Sequence, residues 1–249
     1  MPILLDTMDS GTIPGLLGYG FSGVATGRLG ARGVNDYTLV TIALDVSGSV
    51  SSFRNLLIET VRKAVAACRK SPRAETLMLR VVTFGSAVTE IHGFKLLDEI
   101  DDSIYDSIKV GGGTTLYDAC ASSIGATTEY ARKLIAQDYG VNGILFIITD
   151  GDDNNSTYTA RTVKEKADEA LSGEVLESII TVLLGVNAAQ FASYLSKFQV
   201  EAGITQYLDA GNATPGNLAK LAAFISRSVS SQANQLGASA TAAPVSLVI

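Results

Sequence analysis

The sequence contains no tryptophan, one histidine (His92) and two cysteines (Cys68 and Cys120) among its 249 residues. A Ser-His-Asp hydrolase would therefore depend on His92, but this residue lies in a predicted edge segment. The sequence also has no Gly-x-Ser-x-Gly elbow before a helix, because Val46-Ser47-Gly48-Ser49 lacks the first glycine. We expect His92 to be an exposed side chain without a catalytic role.

Several longer patterns are also missing. The chain has no Lys/Arg-rich run, no phosphate loop and no apolar stretch long enough to cross a bilayer, and its net charge is −6. We therefore predict that it binds neither nucleic acid nor membrane. Residues 1–10 lack the basic start and apolar core of a secretory signal. Both cysteines fall on predicted apolar helix stripes, which favours buried free thiols and a cytoplasmic location.

What the sequence does contain is a set of short, almost wholly apolar runs that alternate with helical patterns. Such runs are typical of strands covered on both faces by helices, as in parallel sheets. The fold class predicted is α/β: a doubly wound, mostly parallel open sheet of Rossmann-like type with one antiparallel edge strand. The four apolar runs are residues 39–44, 77–84, 144–148 and 179–184, and the antiparallel strand is residues 87–91, after the turn at Gly85-Ser86.

Composition divides the chain into three parts. Residues 1–36 contain eight glycines and little periodicity, which predicts an irregular N-terminal arm that packs in part on the domain. Residues 37–231 carry the regular pattern and form the predicted domain. Residues 232–249 lose charge and end in Val-Ser-Leu-Val-Ile; we expect a flexible tail, with strand addition to a partner as the alternative.

Three polar segments lie where predicted strands end or a helix begins. Asp45-Val46-Ser47-Gly48-Ser49 follows one apolar run, Thr149-Asp150-Gly151 follows another, and Gly112-Gly113-Thr114 leads into a helix. Ligands of open α/β sheets bind at the carboxyl ends of strands, so Asp45 and Asp150 should share one cleft. Two carboxylates and three hydroxyls suit a hard divalent cation; we predict Mg²⁺, with Mn²⁺ or Ca²⁺ as alternatives.

This arrangement resembles the metal-ion-dependent adhesion site of von Willebrand factor A domains, written Asp-x-Ser-x-Ser, a distant Thr and a distant Asp. The resemblance covers about residues 37–230 and is strongest to intracellular bacterial members such as the TerY-type proteins. It implies that Asp45, Ser47, Ser49, Thr114 and Asp150 hold the metal, with Thr115 as an alternative to Thr114. It also implies a non-enzymatic module in which a partner protein donates Asp or Glu to the metal, as an adaptor in a bacterial stress or defence system.

Parts of the sequence are also compatible with two other functions. A haloacid-dehalogenase-like phosphotransferase would use Asp45 as nucleophile, with Asp150 and Asp153 holding Mg²⁺. That family places a second Asp two residues after the nucleophile, where this chain has Ser47. The other alternative is a structural subunit that self-associates through residues 1–36 or 232–249. Asp152 and Asp153 are predicted either to ring the mouth of the metal site or to form a solvated turn.

Overall fold

The computed structural model describes residues 8–172 and 176–234. Eight strands run through these residues: β1 (Met8–Thr12), β2 (Gly20–Val24), β3 (Asp36–Asp45), β4 (Leu77–Phe84), β5 (Val88–Leu96), β6 (Gly140–Thr149), β7 (Ile179–Gly185) and β8 (Gln206–Asp209). The α-helices are α1 (Arg54–Cys68), α2 (Leu116–Ile135), α3 (Ala160–Ser172), α4 (Ala192–Glu201) and α5 (Pro215–Ala233). Short 3₁₀ turns at Leu97–Glu99 and Asp102–Ser107 follow β5.

The strands form one sheet in the order β1-β2-β5-β4-β3-β6-β7-β8. Strands β4, β3, β6, β7 and β8 are parallel, and β5 is antiparallel to β4. The predicted fold class is therefore confirmed. The apolar runs became the inner strands because mostly apolar side chains can be covered on both faces with few polar groups left to satisfy.

Helices cover both faces of this sheet and enclose two apolar cores. Strand residues pointing one way pack with α2, α3 and α4, and those pointing the other way pack with α1 and α5. Cys120 lies in the first core and Cys68 in the second, and both thiols are free and buried, as predicted.

The N-terminal segment differs from the irregular arm that was expected. Within residues 8–36, β1 and β2 form an antiparallel hairpin, and β2 joins β5 in parallel at the pairing of Gly23 with Phe94. The antiparallel strand predicted at residues 87–91 runs from Val88 to Leu96. It does not form the edge of the sheet, because β2 pairs with it. The strands are short and glycine-rich, so neither propensity nor alternation indicated them, yet the segment buries five apolar side chains: Ile13, Leu16, Phe21, Val24 and Leu29.

At the other end, the last helix runs past the predicted boundary at residue 231. The Gln232 side chain is buried and donates to Ser178 Oγ at 2.7 Å, while Asn142 Nδ2 donates to the Gln232 carbonyl at 2.8 Å. These bonds explain why a polar residue continues the helix. The rest of the predicted tail, residues 235–249, lies outside the described residues.

Candidate metal centre

The parallel pairing of β3 with β6 brings two of the predicted polar segments together. Leu44 pairs with Ile148, so Asp45 and Asp150 leave neighbouring strands at the same edge of the sheet. The Asp45 side chain is fully buried, and Asp150 is 7% exposed. Both carboxylates therefore lie in the cleft where the strand ends meet.

Four of the five predicted ligands form one hydrogen-bonded cluster. Asp45 Oδ1 accepts a bond from the Ser47 N–H at 2.8 Å, which holds the turn after β3. Ser47 Oγ lies 3.0 Å from Ser49 Oγ, and Ser49 Oγ donates to Asp150 Oδ1 at 2.8 Å. The side chains of Ser47, Ser49 and Asp150 thus present adjacent oxygens to one point beside Asp45.

Thr114 lies on a loop that is bonded to both neighbouring segments. The Gly48 N–H donates to the Gly112 carbonyl at 3.2 Å, which fixes the glycine loop against the Asp45–Ser49 turn. On the other side, the Thr114 N–H donates to Asn154 Oδ1 at 2.8 Å, and the Asn154 N–H donates back to the Thr114 carbonyl at 3.1 Å. Thr114 is buried between the two segments, although none of the described hydrogen bonds joins its hydroxyl to the other four residues.

Glycine is required in this loop. Gly112 has a φ of +84°, and a Cβ placed there would lie 2.0 Å from Ser86 Oγ. Only a residue without a side chain can take this conformation so close to its neighbour. The conformation in turn lets the chain turn sharply before Thr114.

Burial makes the two carboxylates electrostatically costly. Burial raises the pKa of Asp45 to about 6, against the lowering effect of its bonds to Ser47 and Thr149, and the nearby Asp150 charge raises it further. Burial also raises the pKa of Asp150. No lysine or arginine of the described residues contributes to either shift. A bound cation would stabilise two buried carboxylates that lie this close together.

The donor set and spacing fit a small divalent cation. Neighbouring ligands of an octahedral Mg²⁺, each at about 2.1 Å, lie roughly 3 Å apart. The Ser47–Ser49 and Ser49–Asp150 oxygen separations of 3.0 and 2.8 Å match that spacing. Across the described residues no group of three or more His, Cys, Asp or Glu could hold a metal, so any ion here would need the hydroxyls as ligands.

Three residues near the cluster make hydrogen bonds that were not predicted from the sequence. Thr149 Oγ1 donates to Asp45 Oδ2 at 2.7 Å, and Asn154 holds Thr114. Asp153, predicted to lie at the mouth of the site or in a solvated turn, accepts at its Oδ1 from the Tyr117 N–H at 3.3 Å, at the start of α2. Thr149 had a usable signal, since it directly precedes Asp150 at the end of β6. The partners of Asn154 and Asp153 are distant in sequence and gave none.

The expectation that His92 is exposed was wrong. His92 is 5% exposed; its Nε2 lies 3.0 Å from the Tyr105 hydroxyl, and its Nδ1 lies 2.9 Å from the Gly93 carbonyl. The β-bulge where β5 pairs with β4 turns this polar residue inward, and Tyr105 satisfies it. His92 is a core side chain outside the Asp45 cluster.

No helix in the described ranges is both long and apolar enough to cross a membrane. Neither a family model nor a curated protein matches this sequence.

Solved structures do resemble it. The PilB minor pilin from Streptococcus sanguinis matches at 14% identity with a TM-score of 0.58, over 84% of this chain and 64% of the pilin, so this chain spans less than two thirds of the pilin's length. Proximal thread matrix protein 1 from the mussel byssus, with a zinc-occupied MIDAS motif, matches at 16% identity with a TM-score of 0.52, over 79% of this chain and 46% of that one. BatB from Bacteroides thetaiotaomicron matches at 16% identity with a TM-score of 0.52, over 76% and 98% of the two chains. At these identities the likeness concerns the fold alone, and that fold is the von Willebrand factor A-like α/β fold.

Proposed function

We propose that this chain is a metal-dependent protein interaction module rather than an enzyme. The observation that carries the proposal is the cluster of Asp45, Ser47, Ser49 and Asp150, whose oxygens meet at one edge of the sheet beside Thr114. These five residues would hold the ion, which we propose to be Mg²⁺. The zinc-occupied MIDAS motif of the byssus matrix protein, which shares this fold, supports a divalent metal here.

The partner would bind through the metal. Three of the five ligands are neutral hydroxyls, so the protein supplies at most two negative charges to a divalent ion. Mg²⁺ keeps coordination positions for water or an incoming ligand. An Asp or Glu of a partner protein can take such a position, which makes the interaction depend on the ion.

The chemistry of the cluster favours binding over phosphoryl transfer. In the phosphotransferase alternative, a second carboxylate two residues after Asp45 would act as general acid, but Ser47 stands there and bonds to Ser49. Asp153, which would hold Mg²⁺ in the phosphotransferase alternative, instead accepts a hydrogen bond from the Tyr117 N–H in the first turn of α2. The Asp45 carboxylate is also buried and bonded through both oxygens, which leaves it poorly placed for nucleophilic attack.

Such an interaction module could act in the cytoplasm or on the cell surface. The buried free thiols Cys68 and Cys120 favour a reducing compartment and the cytoplasmic, TerY-like adaptor of a stress or defence system. The likeness to a minor pilin favours a surface adhesion protein. We propose that the chain acts as the cytoplasmic adaptor. Fractionation of cells producing the full chain tests it, and recovery on the cell surface would favour the adhesion version.

The metal is tested first, by calorimetric titration of Mg²⁺, Mn²⁺ and Ca²⁺ into the full chain. We expect one site in the wild type, no binding in Asp45→Asn, and unchanged binding in Asp152→Asn. Asp152 is a matched control because it lies two residues from Asp150 and outside the described hydrogen-bonded cluster. Absence of binding in the wild type, or its survival in Asp45→Asn, would overturn the proposal.

The partner is tested by affinity capture with the wild type in Mg²⁺, the wild type in EDTA, and Asp45→Asn in Mg²⁺. A metal-bridged partner is lost in the second and third conditions together. A partner retained in all three would place binding elsewhere on the molecule, as the self-association alternative requires.

A further inference from the structure

The tip of the N-terminal hairpin, residues 13–19, lies at the same edge of the sheet as the candidate metal cluster. Strand β2 is parallel to β5, which is antiparallel to β4 and so to β3. The start of β2 therefore stands level with the end of β3. The tip of the N-terminal hairpin thus reaches the edge of the sheet where Asp45 and Asp150 lie.

A buried carboxylate joins this hairpin to the segment that follows Asp150. Asp118, in the first turn of α2, is 2% exposed and accepts three hydrogen bonds. The Tyr19 hydroxyl donates to it at 2.7 Å, the Thr157 N–H at 3.1 Å and the Tyr158 N–H at 2.8 Å. A carboxylate has enough lone pairs to accept all three at once. Asp118 takes no part in the metal cluster, so this arrangement needs another explanation.

The loop held by Asp118, residues 151–158, also holds Thr114. Asn154 and Asn155 donate their N–H groups to the Thr114 carbonyl at 3.1 Å, and Asn154 Oδ1 accepts from the Thr114 N–H. The loop is therefore fastened to the segment that begins α2 through Thr114, Tyr117 and Asp118. Its first residue follows Asp150 directly. This contact therefore links the chain that follows Asp150 to Thr114.

The hairpin reinforces the same contact from outside. Besides the Tyr19 bond, the Leu17 N–H donates to the Tyr158 hydroxyl at 2.8 Å. Both bonds end on α2 or on the loop. Loosening Tyr19 would remove one of the bonds that hold the hairpin tip and leave Asp118 with one partner fewer.

We infer that Tyr19 and Asp118 are positioning residues of the candidate metal centre. By holding the hairpin tip and loop 151–158 on α2, they keep Asp150 and Thr114 placed to bind one ion. The inference rests on the proposed metal function and adds a regulatory element to it, since anything that displaces the hairpin would weaken metal binding.

The test is a calorimetric Mg²⁺ titration of the full chain, comparing the wild type with Tyr19→Phe and Asp118→Asn. The matched control is Tyr130→Phe, because the Tyr130 hydroxyl donates to the Val24 carbonyl, also at 2.7 Å, at the far end of the same hairpin. We expect the Kd to rise several-fold in Tyr19→Phe, tenfold or more in Asp118→Asn, and not at all in Tyr130→Phe. The double variant Tyr19→Phe/Asp118→Asn should match Asp118→Asn, since both act through one contact.

A merely structural role would lower the melting temperature of both tyrosine variants without changing the Kd of Tyr19→Phe. An unchanged Kd in folded Tyr19→Phe, or an equal rise in Tyr130→Phe, would overturn the inference while leaving the metal site intact. A wild type that binds no Mg²⁺ would overturn the proposed function and this inference with it. If Asp118→Asn fails to fold, Tyr19→Phe against Tyr130→Phe still decides the question.

Discussion

Asp45 is the residue on which the candidate site depends. Its side chain is fully buried, yet both of its oxygens accept hydrogen bonds, from the Ser47 N–H and the Thr149 hydroxyl. Burial disfavours the charged form, and its pKa rises to about 6. Near neutral pH the metal-free protein thus holds a charge that a bound cation would stabilise.

The substitution Asp45→Asn should therefore raise the stability of the metal-free protein and at the same time abolish Mg²⁺ binding. The amide can keep both hydrogen bonds, accepting from the Ser47 N–H and donating to Thr149 Oγ1, while removing the buried charge. We expect the metal-free variant to be roughly 1–3 kcal/mol more stable than the wild type at pH 7, and to bind no Mg²⁺. Urea unfolding in EDTA measures the first effect. A variant less stable than the wild type would contradict this account of Asp45.

The contribution of Asp45 to the unfolding free energy changes with pH in a definite direction. The folded-state pKa of Asp45 lies above that of the unfolded chain, so between about pH 4 and pH 6 the folded state holds a proton that the unfolded state has released. The Asp45 contribution to stability is then present below pH 4 and is lost as pH rises to about 6. In EDTA, the difference in unfolding free energy between Asp45→Asn and the wild type should widen over this window. A constant difference would show that Asp45 is not buried as a titrating carboxylate.

Sequence reasoning named the candidate ligands but not the residues that hold them in place. Asp45, Ser47, Ser49, Thr114 and Asp150 could be named because each stands where a predicted strand ends or a helix begins. Tyr19 could not, since its partner Asp118 lies 99 residues away and neither residue belongs to the metal pattern. Hydrogen bonds of this range depend on topology, which a local pattern does not contain.

At the scale of elements, the hairpin of β1 and β2 is attached through positions that have no room for a side chain. A Cβ on Gly23 would lie 2.4 Å from the Tyr130 ring, and one on Gly125 would lie 2.4 Å from Ile13. The hairpin and α2 approach each other closely because glycine stands at both points of contact. The glycines that suggested an irregular arm are thus partly packing residues.

Gly23→Ala is expected to destabilise the protein by about 1–3 kcal/mol, because the added methyl group must displace either the hairpin or the Tyr130 ring. Gly27→Ala is the matched control, since a Cβ there meets nothing within 4 Å. It should change stability by no more than about 0.5 kcal/mol. Thermal unfolding of both variants checks the difference. Equal melting temperatures would argue that the hairpin is not held on α2.

For the whole molecule, the question is whether residues 37–231 form a unit by themselves, as composition predicted. The N-terminal segment contributes five apolar side chains that are at most 6% exposed. Burying each is worth about 1.5–3 kcal/mol, as an upper estimate. The sum is comparable to the whole stability of a typical domain, roughly 5–15 kcal/mol.

Deletion of residues 1–36 is therefore expected to yield a chain that aggregates or fails to fold. Circular dichroism and size-exclusion chromatography of the deleted chain beside the full one provide the measurement. A monomeric, cooperatively unfolding product would support the predicted domain boundary and show that the hairpin is an accessory element.

The sequence by itself determined the fold class and the candidate ligands. Apolar runs can be covered on both faces only in a helix-flanked sheet, and polar residues just after such runs must emerge at its edge. Only the tertiary structure decided that residues 8–36 complete the sheet, that His92 is buried, and that Asp118 joins the hairpin to the loop after Asp150. Local patterns record which face a residue buries, whereas the partner that it meets is set by how distant elements pack.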